Sequence, residues 1–212
     1  ANFVEWLAML GSLIGTGLLA AQLGARPIGQ WFSAVFAVTL PMSIAQSSSS
    51  MTDYVVTFWT ICAACEVLAS FAEQLHWQVP VIAGLAAGLG VLTKPTAVAY
   101  LLRFGILLGI KMIQGLGIKK SLRWGFIAFT LAISITAGHV TRTYVTYGNI
   151  ISDTGNIARH ANTLLTPQGI LSNIVRNAAL HTNTPWAQVR DNVWLLVLKL
   201  HVKLGVDMDD PR

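Results

Sequence analysis

The chemistry of this sequence gathers at two short stretches. In the first, Ser47-Ser48-Ser49-Ser50-Met51-Thr52-Asp53, a run of hydroxyl side chains leads to a single carboxylate. In the second, Thr93-Lys94-Pro95, a lone ammonium stands beside a proline. A carboxylate backed by hydroxyls and facing a lysine has the parts to bind a polar substrate, or a cation beside a lipid phosphate. An ammonium at a water–lipid boundary is placed to hold a head-group phosphate, although many membrane lysines only snorkel to the interface. Asp53 also suits the first turn of a helix, where the macrodipole favours it, with Ser50 or Thr52 as caps. Arg142 and Arg159 could face an anionic ligand, since a guanidinium grips phosphate as a fixed fork.

The elements that must position these residues are membrane helices. The 212-residue chain is 54% hydrophobic and 11% charged, and its mean hydropathy of +0.59 excludes an ordinary soluble domain. A hydrocarbon core about 30 Å thick needs about 20 apolar residues per crossing, and backbone groups in lipid must pair internally, so the apolar runs are helices. The expected class is an all-α polytopic membrane protein with about four full spans, a broken helix pair and an external helical tail. Spans are expected near 3–24, 28–46, 53–72 and 122–140. The run 79–110 is too long for one crossing and should be two short helices, 79–92 and 95–110, because Pro95 disfavours helical geometry at Lys94 and offers no N–H. Eleven of the 23 charged residues lie before Thr141 and 12 after Val140, which divides a lipid-embedded core, 1–140, from a polar external segment, 141–212. The ends read as cut, so a fragment of a longer protein is expected.

Orientation follows from the short loops, where the cytoplasmic side keeps the excess of Lys and Arg. Lys111, Lys119, Lys120 and Arg123 cluster without an acid, and Arg26 lies in a loop of the same parity. Alternating crossings then bring Asp53, Lys94 and the tail from Thr141 together on the outer face of a cell membrane.

The stretch Leu40-Pro41-Met42, Ala45-Gln46-Ser47-Ser48 and Thr52-Asp53, followed by Gly84-Leu85-Ala86-Ala87-Gly88-Leu89-Gly90-Val91-Leu92-Thr93-Lys94-Pro95-Thr96-Ala97, resembles the membrane core of GT-C glycosyltransferases. The resemblance is to the family-39-like enzymes, relatives of protein O-mannosyltransferases and of the aminoarabinose transferase that modifies lipid A. Leu171-Ser172-Asn173, Arg176-Asn177, Leu180-His181 and Thr184-Pro185 resemble their external segment. It implies a multi-pass enzyme that moves a sugar from a polyprenyl-phosphate carrier to a lipid, glycan or protein acceptor on the outer face. Membrane lipids are the other partner, and no nucleic acid is expected. By position, Lys94 matches the lysine near the carrier phosphate, and Asp53 matches the second acidic position, a supporting carboxylate. Thr93, Ser49, Thr52 and Arg142 would help bind substrate. The principal general base is implied in a first external loop outside these residues. No cofactor is certain, with a divalent cation at Asp53 the one candidate. The rival readings are a transporter or flippase-like protein, or a non-catalytic membrane subunit.

The remaining residues suggest structure. Cys62 and Cys65 have redox spacing but lie inside a span and read as packing residues. Glu66 should pair with Arg103, the preferred reading over a mark on a proton path, and Arg103 stands where the resemblance expects a proline or an apolar side chain. His139, His160 and His181 make no compact metal pattern, and Asp207, Asp209 and Asp210 lack the glycine and glutamate of a calcium loop. In the tail, Ile170, Leu171, Ile174 and Val175, then Val193, Leu196, Val197 and Leu200, recur at helical spacing beside Lys199 and Lys203 and suggest packing faces.

Overall fold

The computed structural model describes residues 2–47, 49, 51–72, 75–151, 166–182, 184 and 186–207. Arg159, His160, Ser48, Ser50, Asp209 and Asp210 fall outside them. The described residues are helical and contain no strand: α1 (Asn2–Gln22), α2 (Pro27–Thr39), α3 (Pro41–Ser47), α4 (Asp53–Ala72), α5 (Gln78–Thr93), α6 (Ala97–Leu116), α7 (Ile118–Tyr147), α8 (Pro167–His181) and α9 (Ala187–Leu204). Four of them, α1, α4, α6 and α7, are long and apolar enough to cross a membrane. The chain is an all-α polytopic membrane protein. It forms two compact units, one of Ala1–Val38 with Gln46–Asp153 and one of Thr39–Ala45 with Thr154–Arg212.

The break at Thr93-Lys94-Pro95 forms as its chemistry requires. Lys94 leaves the helix in an extended conformation, φ −155° and ψ 121°, while its N–H still donates to the Gly90 carbonyl. The same effect acts where the sequence suggested one span over 28–46: the helix stops at Thr39, and Pro41 opens a new one. The reverse holds for α7, which exceeds its apolar stretch of 122–140. Nothing between Gly117 (φ +76°) and Gly148 (φ +68°) interrupts the helix, so it passes through Val140 and carries Lys119, Lys120 and Arg142 within it.

Glycines bring the helices of the first unit together. A Cβ at Gly84 would stand 2.6 Å from the Ala128 carbonyl oxygen, and one at Gly88 3.0 Å from Ala132 Cα, so α5 and α7 pack backbone to backbone. Gly11 and Gly15 likewise admit Phe58 and Ile61 of α4. Small residues four apart are the usual device for close helix approach in lipid. Both pairs run parallel, since the contacts advance together along the two helices, from Gly84 and Ala128 to Gly88 and Ala132 and from Gly11 and Phe58 to Gly15 and Ile61. The core between them joins Val56, Ala63, Ala86, Ala97 and Leu101 in one cluster and Val67, Val79, Ala83, Leu108 and Met112 in another. Cys62 and Cys65 are free thiols within this packing, with Cys65 Sγ near the Gly15 carbonyl at 3.8 Å.

Glu66 and Arg103 do not pair. Arg103 is exposed and lies over the Tyr100 ring, 5.7 Å from its centroid. Leu101 and Leu108 make the inward face of α6, and a residue two positions from Leu101 is turned about 200° away from it.

In the second unit, the expected apolar stripes are buried only in part: Val197 is buried and Val175, Val193 and Leu200 are half-buried, but Ile170, Leu171, Ile174 and Leu196 are exposed. Ser172 and His201, both buried, meet at 2.8 Å. The Val197 carbonyl can only accept, so His201 Nδ1 carries the proton donated to it at 2.8 Å. In the neutral ring Nε2 then accepts from the Ser172 hydroxyl.

Candidate functional site

The first turn of α4 and the α5–α6 break meet at one end of the helical bundle. Lys94 Nζ donates to Asp53 Oδ1 at 2.6 Å. The two residues singled out in the sequence are therefore a direct ion pair. Their side chains keep 41% and 33% of their surface accessible, so the pair is open to a ligand. The ammonium has three N–H donors, and this contact uses one of them.

The pair sits in the wall of a cavity of about 500 Å³, lined also by Thr57, Thr60, Thr96 and Tyr100. Thr57 and Thr60 follow Asp53 by four and seven residues along α4, and each donates its hydroxyl to the carbonyl of the residue four earlier. Their oxygen lone pairs remain available to the cavity. Thr96 is the N-cap of α6, and Tyr100 lies one turn further on. The positive end of the α6 dipole adds to Lys94 at this point. Such a cavity can take a ligand with one anionic group and several hydroxyls. Thr57, Thr60 and Tyr100 were not picked out from the sequence, and Thr96 only as part of the resembling motif, although the stripe Asp53, Thr57, Thr60 has helical spacing.

The other residues expected at the site stand back from this cavity. Thr93 donates its hydroxyl to the Leu89 carbonyl at 2.7 Å. Ser49 shapes the turn before α4: its hydroxyl donates to Gln46, and its oxygen accepts from the Met51 amide at 3.1 Å. Thr52 is exposed, and its carbonyl accepts from the Val56 amide at 3.1 Å as α4 begins. Arg142 is exposed on α7, beyond the level at which Gly88 of α5 meets Ala132. Among the described residues no three His, Cys, Asp or Glu side chains gather as a metal site.

A carboxylate that the sequence reading passed over completes the arrangement. Glu5, in the first turn of α1, is 2% exposed and accepts the backbone N–H of Tyr54 through Oε1 at 2.6 Å. It caps α4 as Thr52 was expected to do, while the other expected cap, Ser50, lies outside the described residues.

A family profile described as dolichyl-phosphate-mannose-protein mannosyltransferase matches residues 3–146, from the start of α1 to the end of α7. No curated protein and no solved structure matches the chain. The chain belongs to the dolichyl-phosphate-mannose-protein mannosyltransferase family. That family consists of membrane glycosyltransferases that draw on polyprenyl-phosphate-linked sugars.

Proposed function

We propose that the cavity around Asp53 and Lys94 is part of the site at which a sugar leaves a polyprenyl-phosphate carrier for a lipid, glycan or protein acceptor. The observation that carries this reading is the Lys94–Asp53 contact of 2.6 Å at a helix break, inside a hydroxyl-lined cavity. Lys94 uses its remaining N–H groups to hold the carrier phosphate. In the transfer, the acceptor oxygen bonds to the anomeric carbon as the bond from that carbon to the carrier phosphate breaks. The electron pair stays on the phosphate, where Lys94 stabilises the added charge. The acceptor's proton passes to a general base.

Asp53 is the supporting carboxylate. It fixes the ammonium through Oδ1, and Oδ2 is left to accept a substrate hydroxyl. Thr93, Ser49 and Thr52 support the two turns that present the pair, and Arg142 adds positive charge at the same end of the bundle. The donor set suits a divalent cation poorly: Asp53 is the cavity's one carboxylate and an ammonium already faces it. No step is therefore assigned to a metal. The excess of Lys and Arg around the α6–α7 turn supports placing this site on the outer face of the cell membrane, with a bacterial inner membrane the proposed setting.

The test is sugar transfer by the full-length protein in membranes, from a panel of radiolabelled polyprenyl-phosphate sugars, with Asp53→Asn and Lys94→Ala beside the unmodified protein. Collapse of transfer in both variants at matched amounts of folded protein supports the reading. Unchanged transfer in both removes the pair from the mechanism, and no transfer from any donor favours a transport or structural role.

A further inference from the structure

Glu5 is an unusual residue for its position. A carboxylate that is 2% exposed, on a helix read as crossing a membrane, is costly unless its oxygens are satisfied. Only Oε1 has a partner, the Tyr54 amide at 2.6 Å, while Oε2 and the Tyr54 hydroxyl are both buried without one. Helix capping alone does not demand this. The donor served is the second amide of α4, which an N-cap side chain ordinarily takes, and Thr52 stands at that position with a hydroxyl of its own.

What Glu5 reaches is the peptide bond leaving Asp53. The carbonyl of that peptide accepts from Thr57 Oγ1 at 2.8 Å, and its N–H, belonging to Tyr54, donates to Glu5. Both polar atoms of the peptide are therefore held by side chains, one from α4 and one from a helix 49 residues away in sequence. Behind it, Tyr54 packs with Ala8 and Met9 of α1. With the backbone fixed on this side, the Asp53 side chain is directed to Lys94, where Oδ1 meets the ammonium.

We infer that Glu5 is a positioning residue of the sugar-transfer site: it acts through the Tyr54 amide to hold the Asp53 carboxylate against Lys94. The inference rests on the proposed function, because it presumes that the Asp53–Lys94 pair serves the reaction. It uses Glu5 as a hydrogen-bond acceptor and does not use its charge. Gln has the same shape and the same carbonyl acceptor, so Glu5→Gln should preserve the site, while Glu5→Ala should release it.

The experiment measures transfer per folded molecule in the full-length protein for Glu5→Ala, Glu5→Gln, Asp53→Asn and the double variant Glu5→Ala/Asp53→Asn. The expected result is a loss of about tenfold for Glu5→Ala, near-native transfer for Glu5→Gln, and no further loss when Glu5→Ala is added to Asp53→Asn. A merely structural role would lower the yield or thermal stability of Glu5→Ala without this dependence on Asp53. Two results would overturn the inference while sparing the site: native transfer by Glu5→Ala when Asp53→Asn is impaired, or the same loss from Glu5→Ala in both backgrounds. An impaired Glu5→Gln would overturn it too, by showing that charge matters. Native transfer by Asp53→Asn would instead remove the site reading on which the inference stands.

Discussion

The two ends of the helical bundle carry charge in different ways. At one end, acids and a base are held by named partners: Glu5 by the Tyr54 amide, and Asp53 by Lys94. At the other, Lys119, Lys120 and Arg123 follow the α6–α7 turn at Gly117 and are exposed, and the Lys111 ammonium lies over the Phe71 ring at 5.3 Å. The first arrangement fixes geometry, as a binding site requires. The second supplies Lys and Arg in number, and an excess of Lys and Arg in a short loop is what biases topology. Charge on a membrane protein is thus informative about chemistry where it comes with a partner and a cavity, and about orientation where it comes in number alone.

Substitutions at the two ends should separate these roles. The largest effect is expected for Lys94→Ala: on the proposed reading it removes charge-assisted bonds to the phosphate worth about 2–3 kcal/mol, which should slow transfer about 30- to 150-fold in a radiolabelled-donor assay. Asp53→Asn keeps the shape but loses the ion pair, and about a tenfold loss is expected by the same assay, with Asp53→Asn adding little to the loss already caused by Lys94→Ala because the two act together. Tyr100→Ala strips an aromatic wall from the cavity and should raise the donor KM about threefold, read from initial rates over a donor concentration series. The smallest effect belongs to the other end: Lys119→Gln with Lys120→Gln should leave transfer per correctly inserted molecule within about twofold, since exposed charges away from a site contribute little. A loss there matching that of Lys94→Ala would erase the distinction between the ends.

Much of this was legible in the sequence, for identifiable reasons. Asp53 and Lys94 stand out because charge is rare in apolar runs, and the proline after Lys94 marks a break that backbone sterics enforce. Pro41 obeys the same rule, yet hydropathy alone carried the expected span across it. The length of α7 was hidden for the opposite reason, since its ends are polar and only the absence of a helix breaker marks them. Glu5 is harder to see. It shares a buried face with Ala8, Met9 and Ser12, at three-, four- and seven-residue spacing, and a carboxylate on a packing stripe is the signal that could have revealed it. Its partner is a backbone amide on another helix, which no local pattern announces. The tail shows a further limit: its apolar periodicity was real, but the side-chain hydrogen bond that joins α8 to α9 comes from a buried serine and histidine that no stripe marks.

The most direct test is equilibrium binding of a polyprenyl phosphate without its sugar to the full-length protein in lipid nanodiscs, comparing the unmodified protein with Lys94→Ala and Lys94→Arg. Without sugar or acceptor, the readout isolates the phosphate contact. A Lys94 that holds the carrier phosphate predicts affinity at least about tenfold weaker for Lys94→Ala, with Lys94→Arg between that and the unmodified protein. Equal affinity in all three would contradict it and leave the Asp53–Lys94 pair as a structural link between α4 and the α5–α6 break.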